Sequence, residues 1–212
     1  MTIPPKLPVE LASTKVANLE TGLTIENVQL NQPTWAAQTA KLVTLDTVRL
    51  TDPDLTAAKL RESGWSDVVV DGGELGGLDL TGSAWRRVQI NRARVSGLIM
   101  VETELRDTSF TSAKLNLTNF RFAKLSRIIF TSCDLTEADF AGAQLDSVVF
   151  VDCQLIGCNF AGTKMKNVDL RTSRLEQVGG IAGLSGATIS TTQLIGLAPE
   201  FAQAAGLIVK DN

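Results

Sequence analysis

Three cysteines and no histidine set the chemistry open to this 212-residue chain. Cys133 and Cys153 stand twenty residues apart, and Cys158 follows five later. Three thiolates are one ligand short of a structural zinc site, no CxxC pair occurs, and no imidazole is present to complete the set. The cysteines are therefore expected to be buried and inert, as free cysteine commonly is. The lack of histidine also removes the Ser-His-Asp triad, the Cys-His pair, the HExxH zinc motif and the imidazole acid or base. The stretch Asp71-Gly72-Gly73-Glu74-Leu75-Gly76-Gly77 is glycine-rich. It carries neither GxGxxG nor the GK(S/T) of a phosphate loop, so its glycines read as turn residues. No catalytic residue, metal ligand or cofactor is assigned, and the chain reads as a non-enzyme.

The element that positions all these residues is a repeat. From Ile25 to Leu175 every fifth residue is apolar, as in the run Leu105, Phe110, Leu115, Phe120, Leu125, Phe130, Leu135, Phe140. Neither a helix, with period 3.6, nor an alternating strand, with period 2, produces that spacing. Two residues before most large positions sits a compact one, such as Ala113, Thr118, Ala123, Cys133, Ala138, Cys153 and Cys158. Pro33, Gln38, Pro53 and Ser63 depart from the pattern in the less regular stretch 31–65. Side chains two apart on an extended backbone share a side, so each unit sends two inward. The other positions are mostly polar, and Gly82, Gly97, Gly142, Gly157 and Gly162 recur where a turn is needed. Pro33 and Pro53, twenty apart, are expected at turns as well.

Units such as Ala138-Asp139-Phe140-Ala141-Gly142 and Cys158-Asn159-Phe160-Ala161-Gly162 resemble the A(D/N)LxG motif of the pentapeptide-repeat family. The resemblance covers about three quarters of the chain. It implies an all-β fold, a right-handed quadrilateral β-helix with four units to a coil. The residues support that coil independently. Phe110, Phe130 and Phe150 are twenty apart, as are Phe120, Phe140 and Phe160, with leucines between. A twenty-residue coil stacks like on like, about 4.8 Å apart, and sets two phenylalanine columns between two leucine columns. About eight coils are expected from such stacked units.

The expected organisation is an extended leader and N-terminal cap over residues 1–22, the β-helix over 23–189, and a C-terminal α-helical cap over 190–212. The leader should lie over the first coil. Gly179-Gly180 breaks the phase, and Leu184 and Ile189 resume it one residue early, so a final distorted turn is expected. Ser190 is a plausible N-cap for a helix through about Leu197, and Pro199 suits the start of a second helix ending at Gly206. Leu207, Ile208 and Val209 read as a closing strand, and the whole segment should plug the open end. In some family members such a C-terminal helix pairs two chains tail to tail, so the resemblance also raises a homodimer through the cap.

Function must then be read from the outward residues. Hydrophobic residues make up 44% and charged residues 20%, with a net charge of -3, which argues against direct binding of nucleic acid. No signal segment or membrane span is legible, so a cytoplasmic protein is expected. One outward column reads Asp54, Glu74, Arg94, Lys114, Asp134, Gln154, Arg174; another includes Asp46, Arg86, Arg106, Asp146 and Lys166. Ile129, Val149 and Val151 point outward on one face, and Leu117 and Phe122 hold other outward positions. Together with Asp134 and Asp146 these are the candidate partner-binding residues. The expected role is a non-catalytic rod that binds a macromolecule, a protein, as yet unidentified. Certain family members bind DNA gyrase by imitating duplex DNA, which needs a continuous acidic face. Here acids concentrate at 46–79 and 134–152, with a basic belt around Arg86, Arg87, Arg92 and Arg94 between them. A gyrase-directed DNA mimic is the alternative.

Overall fold

The computed structural model describes residues 2–210. Met1, Asp211 and Asn212, the outer ends of the expected leader and cap, lie outside the described residues. The chain winds into a right-handed, four-sided parallel β-helix of about nine turns. That exceeds the eight counted from five-residue units. A leader strand, Ala12–Thr14, adds a rung below Thr24–Asn31, and a short strand, Ala187–Thr188, adds one above Val168–Asp169.

Neighbouring rungs are in register at twenty residues: Phe110 pairs with Phe130 and Phe130 with Phe150. The four faces can be named by one coil: Leu125 on face one, Phe130 on two, Leu135 on three and Phe140 on four. All four side chains are buried. Between faces the backbone turns a corner, and from Gly22 to Gln177 each fifth residue has positive φ, with Thr172 the exception. Non-glycine corners lie between 45° and 60°, a region costing L-residues about 1–2 kcal/mol each. Hydrogen bonds to the next coil offset this, as where Leu117 N–H meets the Thr136 carbonyl at 2.9 Å. Pro33 and Pro53 directly follow corners at Gln32 and Asp52, as expected. Gly73, at φ +89°, sits over Pro53, where a Cβ would come within 2.4 Å of the Pro53 carbonyl oxygen.

Inside, the phenylalanine columns stack as the spacing predicted. Phe130 lies 4.9 Å from Phe110 and 4.8 Å from Phe150, with rings within 9° of parallel. Phe140 lies 4.9 Å from Phe120 and 5.4 Å from Phe160 on the opposite face. The two columns meet edge to face, at 6.3 Å for Phe120 with Phe130. Trp65 and Trp85 stack at 4.6 Å on face one, and their buried indole N–H groups find no acceptor. Hydroxyls occur at several compact inward positions: Ser63 Oγ accepts Val43 N–H and Ser83 Oγ accepts Ser63 N–H, whereas the buried Thr118 hydroxyl finds no partner.

A glutamine closes each end. At the start, Gln38 accepts Leu19 N–H and donates to the Ala17 carbonyl, while Trp35 Nε1–H donates to the Val16 carbonyl. At the finish, the phase slips: Val168 pairs with Ala187, nineteen residues on, after a 3-10 turn at Ile181–Leu184. Helix α1 (Thr191–Gly196) follows, with Ser190 and Gln193 in a reciprocal capping box, then α2 (Ala198–Ala204) with Pro199 in its first turn. Gln193 Nε2 donates to the Leu170 and Ser173 carbonyls, both at 2.7 Å, and Leu197 is fully buried.

Two expectations change. Leu207–Val209 form no strand and stand exposed. Leu207 N–H folds back to the Ala202 carbonyl and so terminates α2, while α1 already packs on the last full coil. The leader also reaches far beyond the first coil, because Lys6 N–H is bonded to Asp67 and Ile3 N–H to Asp107.

Candidate interaction surface

The repeat itself dictates how the outer surface is laid out. Where an Asp or Asn precedes a large inward residue, its oxygen turns onto the N–H two residues later, closing the turn. Asp54 does this to Thr56, Asn119 to Arg121, Asp139 to Ala141 and Asn159 to Ala161, all at 2.9–3.0 Å. This local bond is why a short side-chain acceptor recurs there. Asp134 is one of the set, with one oxygen held by Thr136 N–H at 3.0 Å.

Stacking by twenty then aligns outward side chains into columns, and opposite charges on adjacent coils pair. Arg94 meets Glu74, Lys124 meets Glu104 at 2.6 Å, and Lys166 meets Asp146 at 3.7 Å. These pairs are exposed and each contributes little. A different column is not exposed. On the corner between faces one and two, Asp67, Arg87, Asp107 and Arg127 follow one another coil by coil. Arg87 grips Asp67 through Nε and Nη2, and Arg127 grips Asp107 through the same two nitrogens at 2.6 and 2.5 Å. Both carboxylates are nearly covered. The guanidinium of Arg87 holds Asp67 below the usual carboxylate range against its burial, and Arg127 does the same for Asp107. The remaining acceptor capacity takes the leader: Lys6 N–H at 2.7 Å on Asp67, Ile3 N–H at 3.3 Å on Asp107. The sequence reading followed other columns and missed this ladder; folding positions 67, 87, 107 and 127 by twenty would have exposed its alternating signs.

The residues singled out from sequence are spread around the rod. Ile129, Val149 and Val151 lie half-buried together on face two, and Val69, in the column of the first two, is buried near the leader's contact at Asp67. Asp146 is on face one and Asp134 on face three. Leu117 stands at the corner of faces three and four, 55% exposed. Phe122 stands at the corner of four and one, 54% exposed, its ring laid over Gly142 and beneath the Arg121 guanidinium. One apolar cluster therefore holds three of the seven candidates, and the other four stand apart.

A model of the family described as a pentapeptide repeat region matches residues 83–160 and 103–180. Residues 83–180 are a pentapeptide-repeat region. Among solved structures, it resembles a trypsin-treated form of QnrB1, a plasmid-mediated fluoroquinolone resistance protein. The identity is 20% over 94% of this chain and 98% of that one, with a TM-score of 0.40. HetL of Nostoc sp. strain PCC 7120, a pentapeptide-repeat protein involved in heterocyst differentiation regulation, is 20% identical. That match covers 80% of this chain and 86% of HetL, with a TM-score of 0.30. Likenesses of this size carry no argument about partners. No protein of curated function matches the sequence.

In this pentapeptide-repeat coil the cysteines occupy compact inward positions, all buried and free. Cys133 and Cys153 stack in one column, and Cys158 Sγ donates to the Leu135 carbonyl. Burial pushes the Cys158 thiol up to about 12, and the Cys153 thiol together with burial raises Cys133 further. Such thiols are protonated and unreactive at neutral pH. Among the described residues no three His, Cys, Asp or Glu side chains are grouped to hold a metal ion. Glycines 72, 73 and 77 of the glycine-rich stretch are corner and turn residues with positive φ. No helix among the described residues is long and apolar enough to cross a membrane.

Proposed function

We propose that this pentapeptide-repeat chain is a non-catalytic rod that binds another protein through its outer faces, with residues 23–189 as the rod and 1–22 and 190–212 as its ends. The observation that carries this reading is the division of labour across the coil wall. Inward positions are spent on stacked rings and small side chains, whereas outward ones form regular columns of charge and one apolar cluster at Ile129, Val149 and Val151. A surface with fixed spacing along an axis suits recognition of an extended partner face. The test is affinity capture with the natural chain and with Ile129→Glu and Val149→Glu variants. A partner held by the natural chain and released by the variants supports the reading; capture of nothing above background removes it.

Gyrase modulation by partial duplex mimicry is the second reading, favoured by the acidic concentrations at 46–79 and 134–152. Against it, Asp67, Asp71 and Asp79 are each paired with an arginine, which breaks up the negative field of the first band. Titrating the protein into a gyrase supercoiling assay, with and without a quinolone, decides it; no effect at micromolar concentration would sink this reading. A tail-to-tail homodimer is supported by the exposed Leu194, Ile195 and Phe201 on the helical cap. Light scattering on an Ile195→Glu variant, compared with the natural chain, checks that pairing.

A further inference from the structure

Two unrelated repeats meet at the corner between faces one and two. Asp67 and Asp107 are two coils apart, which at parallel-strand spacing is about 9.6 Å. The amides they accept, Lys6 and Ile3, are three residues apart. A polyproline II segment rises about 3.1 Å per residue with three residues per turn, so every third amide recurs on one side at about 9.3 Å. The two pitches match to within a few per cent. Between the two amides lie Pro4 and Pro5, which have no N–H to leave unbonded. Those two and Pro8 also restrict the leader to an extended form before it docks. Lys6 adds a positive side chain beside Asp67, and Arg87 and Arg127 fix the two carboxylates in orientation.

We infer that this corner is a recognition track for an extended, proline-rich segment of a partner protein, of the pattern apolar-Pro-Pro-basic, and that the chain's own leader occupies it at rest. The leader is built to leave. Val9 is fully exposed and Glu10 is also in solvent where the segment departs from the corner. Two backbone hydrogen bonds to the ladder tie residues 2–8 down, so release costs far less than opening a coil. The inference rests on the protein-binding reading above but fails separately from it: affinity capture tests the rod, and the peptide below tests the track.

The probe is a labelled peptide with the sequence of residues 2–10, Thr-Ile-Pro-Pro-Lys-Leu-Pro-Val-Glu. It is titrated by fluorescence anisotropy into the full-length chain carrying Ile3→Pro and Lys6→Pro, which removes both amides in cis and leaves the coil intact. Saturable binding is expected, at least tenfold tighter than to the natural chain. Adding Asp67→Asn and Asp107→Asn to the variant should weaken it at least tenfold, as should proline at the lysine position of the peptide. No binding at millimolar peptide, or binding indifferent to the two amides, overturns the track. If the double-proline variant does not fold, hydrogen exchange on the natural chain serves instead. Excess peptide should then speed exchange at the Ile3 and Lys6 amides, and unchanged rates overturn the proposal. Dimers of the natural chain that the peptide dissolves would assign the track to a second copy's leader and overturn the foreign-partner reading.

Discussion

Arg127 holds Asp107 through two parallel hydrogen bonds across one turn of the coil, and the two partners are unequally covered. The Asp107 side chain is 3% exposed and that of Arg127 29%. Removing one partner is therefore not equivalent to removing the other. Arg127→Ala leaves a buried carboxylate without its bonded partner, with only the Arg106 cation remaining at 3.8 Å, and should cost about 3–5 kcal/mol. Asp107→Ala lets the arginine turn to water and should cost less, about 1.5–3 kcal/mol, the range for a lost charge-assisted bond. Urea unfolding of both variants measures the difference; equal losses would show that the ladder is solvated.

The same ladder sets an acid limit. Asp67 and Asp107 have pKa values lowered on folding by their arginine bonds, as Asp169 has by Arg171. A lowered carboxylate contributes stability that is complete above the unfolded value of 3.8 and is lost as pH falls through the folded value. The melting temperature should hold steady from pH 7 to about pH 5 and drop below about pH 4. In Asp107→Asn the acid drop should be shallower. A melting series against pH for both chains checks the sign.

Phe130 is sandwiched between two rings in its own column and touches a third edge-on. Phe130→Ala should cost about 3–5 kcal/mol, since a rigid coil can collapse little around the void. A loss below about 1 kcal/mol by urea unfolding would mean the coil does relax.

Gln193 satisfies two carbonyls of the last full coil from a short helix. Gln193→Leu keeps the bulk but leaves the Ser173 carbonyl buried without a donor, at about 1–3 kcal/mol, while the Leu170 carbonyl keeps Ser173 N–H at 3.0 Å. Because the coils are joined only to neighbours, the damage should be local. Hydrogen exchange should quicken around residues 168–176 and stay unchanged at the central coils.

What was legible in the sequence follows from the coil's own regularity. A period of five within a period of twenty specifies which side chains meet, because each inward residue at position n stacks on n + 20. Phe110, Phe130 and Phe150 could be assigned to one column before any coordinate was known. The helical cap was legible for the same local reason, since Ser190, Pro199 and Gly206 each act within a few residues of their own position. Where the repeat ends, that logic ends. The extra rungs, the open course of Leu207–Val209 and the path of the leader depend on contacts outside the period.

The outer surface divides in the same way. By itself the sequence determined the shape of the rod, the burial of Cys133, Cys153 and Cys158, and which residues face out. Only the tertiary structure decided that Asp67 and Asp107 are shielded acceptors while Asp146 and Glu74 are solvated. It alone brought Ile3 to Asp107, 104 residues away. No periodicity links those two positions. Their meeting depends on how far an extended, proline-bearing leader reaches along a coil of fixed pitch.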